Sequence, residues 1–376
     1  MFKRATTLAI NAMTAVWAVV AVLMLLSGYS GLMPPETCGW ATVLGLSFPL
    51  LLALNLVFLF LFLTFRWRRS WLPVAAFLLA FPPIRLYLPL NFGGGSPTTP
   101  DGKTLSVMSY NVQGFNGPGI EHDPDSKNLD RIVEYLKRQT PDILCLQEST
   151  GSWRGYIKRL DSLYAHHDTV TICQGKGMAN AVSVFSQHAI LKHERIDYPS
   201  KANGTVAFLL KCGADTLLLV NNHLETNHLN KSVRQQYRSI LHGEETADSV
   251  RSQTRNIMGI LSEQALQRAP QARAVARYTD SIRRLHPAWL VIVCGDFNES
   301  PVSYTHRTLS RGLTDCYEAA GCGPGWSMMA KAFPVRIDNI LCNDRLQPLS
   351  CRVDRSLTAS DHYPIFATME IIKRED

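Results

Sequence analysis

The chain has 376 residues, 46% hydrophobic and only 18% charged, against about 25% charged in an average soluble domain. That balance excludes disordered, collagen-like and disulfide-scaffold proteins. The formal net charge is +7, but residues 1–100 hold six basic side chains and one acidic one, so the excess belongs to that segment and does not describe a nucleic-acid-binding surface.

No charged residue occurs from Ala5 to Pro35, nor from Thr37 to Phe65, and each run exceeds the roughly 20 apolar residues that cross a bilayer. A cleaved signal peptide has a core of only about 7 to 15 residues. The pattern predicts a membrane anchor over 1–90 with three transmembrane helices, about 7–28, 41–64 and 71–90. The third contains Pro73, Pro82, Pro83, Pro89 and Arg85; membrane helices tolerate proline, and an arginine near one end can snorkel to the headgroups. Lys3 and Arg4 precede the first span, and Arg66, Arg68 and Arg69 separate the second from the third. The positive-inside rule puts both clusters in the cytoplasm, so three crossings of an inner membrane deliver the rest of the chain to the periplasm or exterior. Residues 91–103, rich in Gly, Pro, Thr and Ser, read as a linker.

Beyond the linker, short apolar runs alternate with polar loops at 105–110, 143–146, 181–185, 206–210, 216–220, 290–294, 337–341 and 365–369, and these read as strands. Leu129, Ile132, Val133 and Leu136 repeat at helical spacing. Residues 230–287 form a helix-favouring insertion with ten basic and five acidic residues, expected as a solvated helical face. The fold class is α/β with many strands. The nine cysteines have no CxxC pair or zinc spacing. Cys145, Cys294 and Cys342 lie in strand-like runs and read as core thiols, while Cys316 and Cys322 are close enough in sequence for a disulfide.

Polar residues recur at the carboxyl ends of the apolar strands, where α/β sheets place their sites. Asn111, Glu148 and His223 each follow one such run, and Asp296 and Asn298 follow another; Asp338 opens a strand, and Asp361 with His362 precede the last. An Asp or Asn after a strand is ordinarily a turn former, which is the reading for Asp142. His188 and His193, alone in their neighbourhoods, read as hydrogen-bonded structure.

The blocks Ser109-Tyr110-Asn111-Val112, Leu146-Gln147-Glu148, Asn222-His223-Leu224, Gly295-Asp296-Phe297-Asn298, Arg336-Ile337-Asp338 and Ser360-Asp361-His362 stand in one order over residues 104–371. In this they resemble the endonuclease/exonuclease/phosphatase (DNase I-like) superfamily, and the anchor is similar to that of a membrane-attached bacterial subgroup. The resemblance implies a four-layered α/β sandwich and a divalent-metal-dependent phosphoesterase. It implies Mg²⁺, or Mn²⁺, held by Glu148 with Asn111 and Asp361, since such hard cations take oxygen ligands. It further implies that Asp296 positions or deprotonates the attacking water, that Asn298 donates to the scissile phosphate, that Asp338 orients His362 towards phosphate, and that His223 stands at the leaving-group side. The alternative is a catalytically inactive sensor or scaffold, against which all these residues are retained.

The chain departs from the family pattern at Gln113, acidic in some nuclease branches, at Asn339, where an aromatic residue is common, and at Ala181, where a glycine is usual. His223 has no evident acidic partner. The substrate stays open between nucleic acid and a phospholipid head group; the bilayer is the expected partner of the amino-terminal helices, and no protein partner is indicated.

Overall fold

The computed structural model describes residues 2–92, 103–116, 127–149, 153–175, 178–227, 239, 247–329 and 334–372. Linker residues 93–102 and insertion residues 230–238 and 240–246 lie outside the described residues.

The amino-terminal unit comprises α1 (Phe2–Gly28), α2 (Gly39–Leu46), α3 (Phe48–Arg66), α4 (Trp71–Leu79) and α5 (Phe81–Tyr87). Thr7–Gly28 and Phe48–Arg69 are long and apolar enough to cross a membrane. The continuous third helix expected over 71–90 is instead two short ones that meet at Ala80. Pro82 and Pro83 occupy the first turn of α5, where missing N–H groups cost nothing, but they cannot donate back to α4 and so end it. The Tyr29 hydroxyl donates to the freed Leu79 carbonyl at 2.7 Å. Trp17, Met24, Phe48, Phe62, Ala76 and Tyr87 pack inside this bundle.

The remaining elements are β1 (Thr104–Asn111), α6 (Asn128–Gln139), β2 (Ile143–Gln147), α7 (Trp153–Leu160), β3 (His166–Gly175), β4 (Met178–Ser186), β5 (Ala189–Ile196), β6 (Gly204–Cys212), β7 (Asp215–His223), α8 (Ala247–Leu285), β8 (Leu290–Asp296), α9 (Tyr304–Leu309), β9 (Thr314–Asp315), α10 (Cys316–Ala320), β10 (Asp338–Cys342), β11 (Leu346–Val353) and β12 (Ile365–Ile371). They form two six-stranded mixed sheets, ordered β11-β12-β1-β2-β4-β3 and β5-β6-β7-β8-β10-β9. Leu105, Val107, Val182 and Val184 of one sheet meet Val206, Phe208, Leu219 and Ile292 of the other in a shared core. Outside the first sheet lie α6 and α7, through Ile132, Val133, Leu136 and Tyr156; outside the second lies α8, through Ala272 and Val275. Helix, sheet, sheet, helix is the expected four-layered sandwich. Central strands buried on both faces read as unbroken apolar runs for that reason.

Each sheet has one parallel pair at its centre, β1 with β2 and β7 with β8. Their carboxyl ends therefore emerge together on one rim. The described cysteines are all free: Cys316 is buried with its sulfur 3.7 Å from that of Cys342, while Cys322 is exposed. The Cys316–Cys322 disulfide that the spacing permits is therefore not formed, because α10 turns the Cys316 side chain into the core.

Candidate active site

The strand ends on that rim bring together Asn111 of β1, Glu148 after β2, His223 of β7 and Asp296 of β8, and the loops at 298, 338 and 362 complete the group. The backbone is unusual here. Among the described non-glycine residues, positive φ occurs at Gln113, Phe115, Thr140, Glu148 and Asn298; Thr140 caps α6, and the other four lie in loops of this rim. Such conformations persist only where the surroundings over-determine them. Gly295 has φ +121°, and a Cβ there would stand 2.0 Å from the Asn222 carbonyl oxygen, so only glycine lets β8 approach β7 this closely.

Asn111 lies at the centre. Its Nδ2 donates to Glu148 Oε1 (3.0 Å) and to Asp296 Oδ2 (3.1 Å), while its Oδ1 accepts from the Gln113 N–H (3.0 Å). The amide nitrogen rather than the carbonyl oxygen thus faces the two carboxylates. Gln113 Oε1 in turn accepts from the Asp361 N–H at 3.3 Å, so the residue in place of an acidic one ties two site loops together.

His223 does have an acidic partner. Its Nε2 stands 3.2 Å from Glu148 Oε1, and Asn180 and Asn203 hold the ring from either side through contacts of 2.9 and 3.1 Å. No local sequence signal marks this pair, because 74 residues of intervening chain separate Glu148 from His223. Burial alone would raise the Glu148 carboxyl, but His223 and the Asn111 amide outweigh it and bring it down to about 2. Burial would likewise lower His223, and the facing Glu148 raises it instead.

His362 Nδ1 donates to Asp338 Oδ2 at 2.9 Å, and its Nε2 points at Asp296 Oδ2 from 3.6 Å. Burial opposes its protonation, yet the two carboxylates hold its pKa well above the usual imidazole value. Asp296 is pushed up to about 6, first by burial and further by Asp338, against the pull of His362. The Asn298 N–H donates to Asp296 Oδ1 (2.9 Å) and its side-chain amide to the Leu224 carbonyl (2.9 Å). Asp296, Asp338 and His362 offer ligand atoms within 4.8 Å of one another, a metal-capable cluster among the described residues distinct from the Asn111, Glu148 and Asp361 set expected to hold the cation. Asp361 borders the cluster, with Oδ1 4.0 Å from His362 Nε2.

The supporting residues include several that sequence reading passes over. Ser327 Oγ accepts from the N–H groups of Ile337 and Asp338, and Ser360 Oγ donates to the Asn111 carbonyl. Asn339 accepts from buried Arg336 at 2.8 Å, which replaces the expected aromatic wall with a polar one. Lone serines and asparagines carry no periodic signal and become legible only by where they touch.

Known proteins share this architecture. A curated 5'-tyrosyl-DNA phosphodiesterase of Caenorhabditis briggsae is 27% identical over 127 residues, 33% of this chain and 34% of that protein, so the match spans about a third of the relative's length. An endonuclease/exonuclease/phosphatase from Beutenbergia cavernae superposes with TM-score 0.52 at 16% identity, covering 72% of each chain. The human nocturnin catalytic domain superposes with TM-score 0.50 at 16% identity over 72% of this chain and 95% of its own. Residues 11–87 match a domain of unknown function (DUF8431). Residues 108–362, about two thirds of the chain and all of the strand-end constellation, match the model of the Endonuclease/Exonuclease/phosphatase family, and the chain belongs to that family of phosphoester hydrolases.

Proposed function

We propose that this chain is a membrane-anchored, divalent-metal-dependent phosphodiesterase whose catalytic domain, residues 104–371, faces the periplasm or exterior. The observation that carries the catalytic part is the meeting of four carboxylates, Glu148, Asp296, Asp338 and Asp361, with two imidazoles at one rim. The donor set is one of oxygen atoms, as a hard cation requires: its neighbours hold the Glu148 carboxyl down at about 2, and its side chain is 30% exposed. Glu148 and Asp361, beside Asn111, would hold Mg²⁺ or Mn²⁺, which supplies Lewis-acid stabilisation of charge on phosphoryl oxygens. Asp296, with its raised proton affinity, orients the attacking water and takes its proton. His362, held by Asp338 in one ring orientation, and Asn298 donate to the phosphoryl oxygens. His223, paired with Glu148, stands where a leaving oxygen needs a proton. The name of the curated relative favours a diester over a monoester.

The membrane part rests on the surface of the bundle. Leu8, Leu50, Phe60 and Leu63 are more than half exposed, large apolar side chains of a kind that soluble domains do not leave in water in such number. Trp67 and Trp71 at one end and Trp40 at the other are exposed as interfacial belts are. Arg69 bonds Thr14 and Asn11 towards one end of the bundle, while the catalytic domain docks at the other, where Gly323 N donates to Pro89 O. Basic cluster inside and catalytic domain outside is the orientation this favours. The test is hydrolysis of bis-p-nitrophenyl phosphate by the purified full chain: turnover should require Mg²⁺ or Mn²⁺ and vanish with EDTA, and metal-independent turnover would remove the mechanism.

A further inference from the structure

Helix α8 belongs to the insertion whose composition reads as a solvated face, yet its middle is buried. Arg268 is, with Arg336, the largest side chain fully withdrawn from solvent among the described residues, and Gln271 is equally buried. Residues three apart share a helix face, and this face lies on the two loops that follow His223 and Asn298. Arg268 Nη1 donates to the Glu225 carbonyl at 2.8 Å, and its Nη2 donates to Glu299 Oε1 at 3.1 Å. Gln271 completes the hold on Glu225. Its Oε1 accepts from the Glu225 N–H at 2.9 Å, while its Nε2 donates to Glu225 Oε2 and to the Pro199 carbonyl, each at 3.2 Å. Glu225 lies two residues after His223, and Glu299 directly follows Asn298, so one turn of α8 grips both site-bearing loops.

The loops are also joined to each other. The Leu224 carbonyl accepts from Asn298 Nδ2 at 2.9 Å and from Asn203 Nδ2 at 3.0 Å, and the same Asn203 nitrogen stands 3.1 Å from His223 Nε2. Asn227 Nδ2 donates to the Asn298 carbonyl at 3.1 Å. Asn298 itself has φ +55°, a conformation that an L side chain keeps only where its surroundings fix it. One proton of its amide goes to Leu224, which sets the plane of the group and leaves the other proton for a phosphoryl oxygen. Burying a guanidinium is costly, and an apolar side chain of similar volume often replaces a buried ion pair without loss of stability. Arg268 Nε has no hydrogen-bond partner, so stability alone is a poor reason for an arginine here. What an apolar side chain lacks is a planar fork that bonds two loops at once.

We propose that Arg268 is a positioning residue for phosphoester hydrolysis: acting through Glu225 and Glu299, it sets the His223 imidazole and the Asn298 amide against the substrate. The guanidinium touches no reacting atom. The proposal rests on the phosphodiesterase reading above, in which His223 and Asn298 are site residues.

The experiment measures kcat, KM and thermal melts of the full chain, with bis-p-nitrophenyl phosphate and Mg²⁺. Arg268→Lys keeps a positive charge beside Glu299 but not the two-armed reach; kcat should fall at least about tenfold through misplacement of the two loops, with KM within about twofold of wild type. Arg268→Met combined with Glu299→Gln removes the buried ion pair, and should melt within about 5 °C of wild type while its kcat stays at least about tenfold down. Val275→Ala, one turn further along α8 and packed in the apolar cluster beneath it, is the stability control: its melting midpoint should fall and its kcat stay within about twofold. If the combined variant does not fold, Arg268→Lys decides. A smaller loss of kcat, a loss carried by KM, or a kcat that follows the melting midpoint across all three variants overturns the positioning role and leaves the phosphodiesterase reading standing. Failure of the wild type to hydrolyse the diester overturns both.

Discussion

Glu148 and Asp296 are carboxylates of one constellation, yet their neighbours move them in opposite directions. His223 and the Asn111 amide bring Glu148 to about 2, suited to holding a cation, whereas burial and Asp338 take Asp296 up to about 6, suited to accepting a proton. Divergent titration of paired carboxylates is how one site separates its roles. Glu148→Gln, Asp296→Asn and His362→Ala are each expected to lower turnover of bis-p-nitrophenyl phosphate by at least about a hundredfold. Glu148→Gln and Asp296→Asn keep side-chain volume and should melt close to wild type, whereas His362→Ala leaves buried Asp338 without its imidazole partner and should melt lower. Near wild-type turnover in folded Asp296→Asn would sink the assignment. At this scale the sequence displayed the residue types and their order, but not their pairing. The Glu148–His223 contact and the inward-facing nitrogen of Asn111 come from side chains that only the rim brings together.

Among the strands, the division between legible and hidden follows solvent. The eight apolar runs correspond to β1, β2, β4, β6, β7, β8, β10 and β12, all interior to their sheets. The four strands without such a run, β3, β5, β9 and β11, are the four edges. An edge strand is half solvated and carries charge or proline to block further pairing, as Lys192, Glu194 and Arg195 do in β5 and Pro348 does at the β11 bulge. Two positions test how the elements are held. Gly295→Ala forces β8 away from Asn222 and should lower the melting midpoint by about 5 to 10 °C, the scale of a few kcal/mol in a domain of this size. Asp315 ties β9 to the loop before β10: it accepts three bonds from Arg336 and pairs with His306 at 3.0 Å. Asp315→Asn leaves the buried guanidinium uncompensated and should cost about 3 to 5 kcal/mol. Burial would raise the Asp315 carboxyl, but Arg336 and His306 hold it well below the usual range. Its stabilisation is therefore complete above the unfolded value of about 4 and is lost as pH falls below that towards the folded value. Thermal melts of the wild type should show this decline, and Asp315→Asn should show a shallower one; parallel acid limbs would refute the role.

For the whole molecule, the proposed anchoring predicts which face of a membrane the catalytic domain occupies. Alkaline phosphatase fused after Leu90 should be active and green fluorescent protein dark, and the reverse would place the domain in the cytoplasm. The test bears on α4 and α5, since a third segment broken into nine and seven residues reaches only about 25 Å at helical rise even if both halves run the same way, short of the roughly 30 Å hydrocarbon core. The sequence by itself determined the two long apolar helices, the α/β class with many strands and the order of the strand-end residues, because continuous apolar runs and short motifs are local properties of the chain, and the sandwich followed from the family resemblance of those motifs. Only the tertiary structure decided that the loop after Asn298 touches the amino-terminal bundle through Val302, that His223 pairs with Glu148, and that Arg336 joins Asp315 to α5. Each of these is a contact across scores to hundreds of residues, set by how two sheets and a bundle stack, and stacking leaves no periodic trace in the sequence.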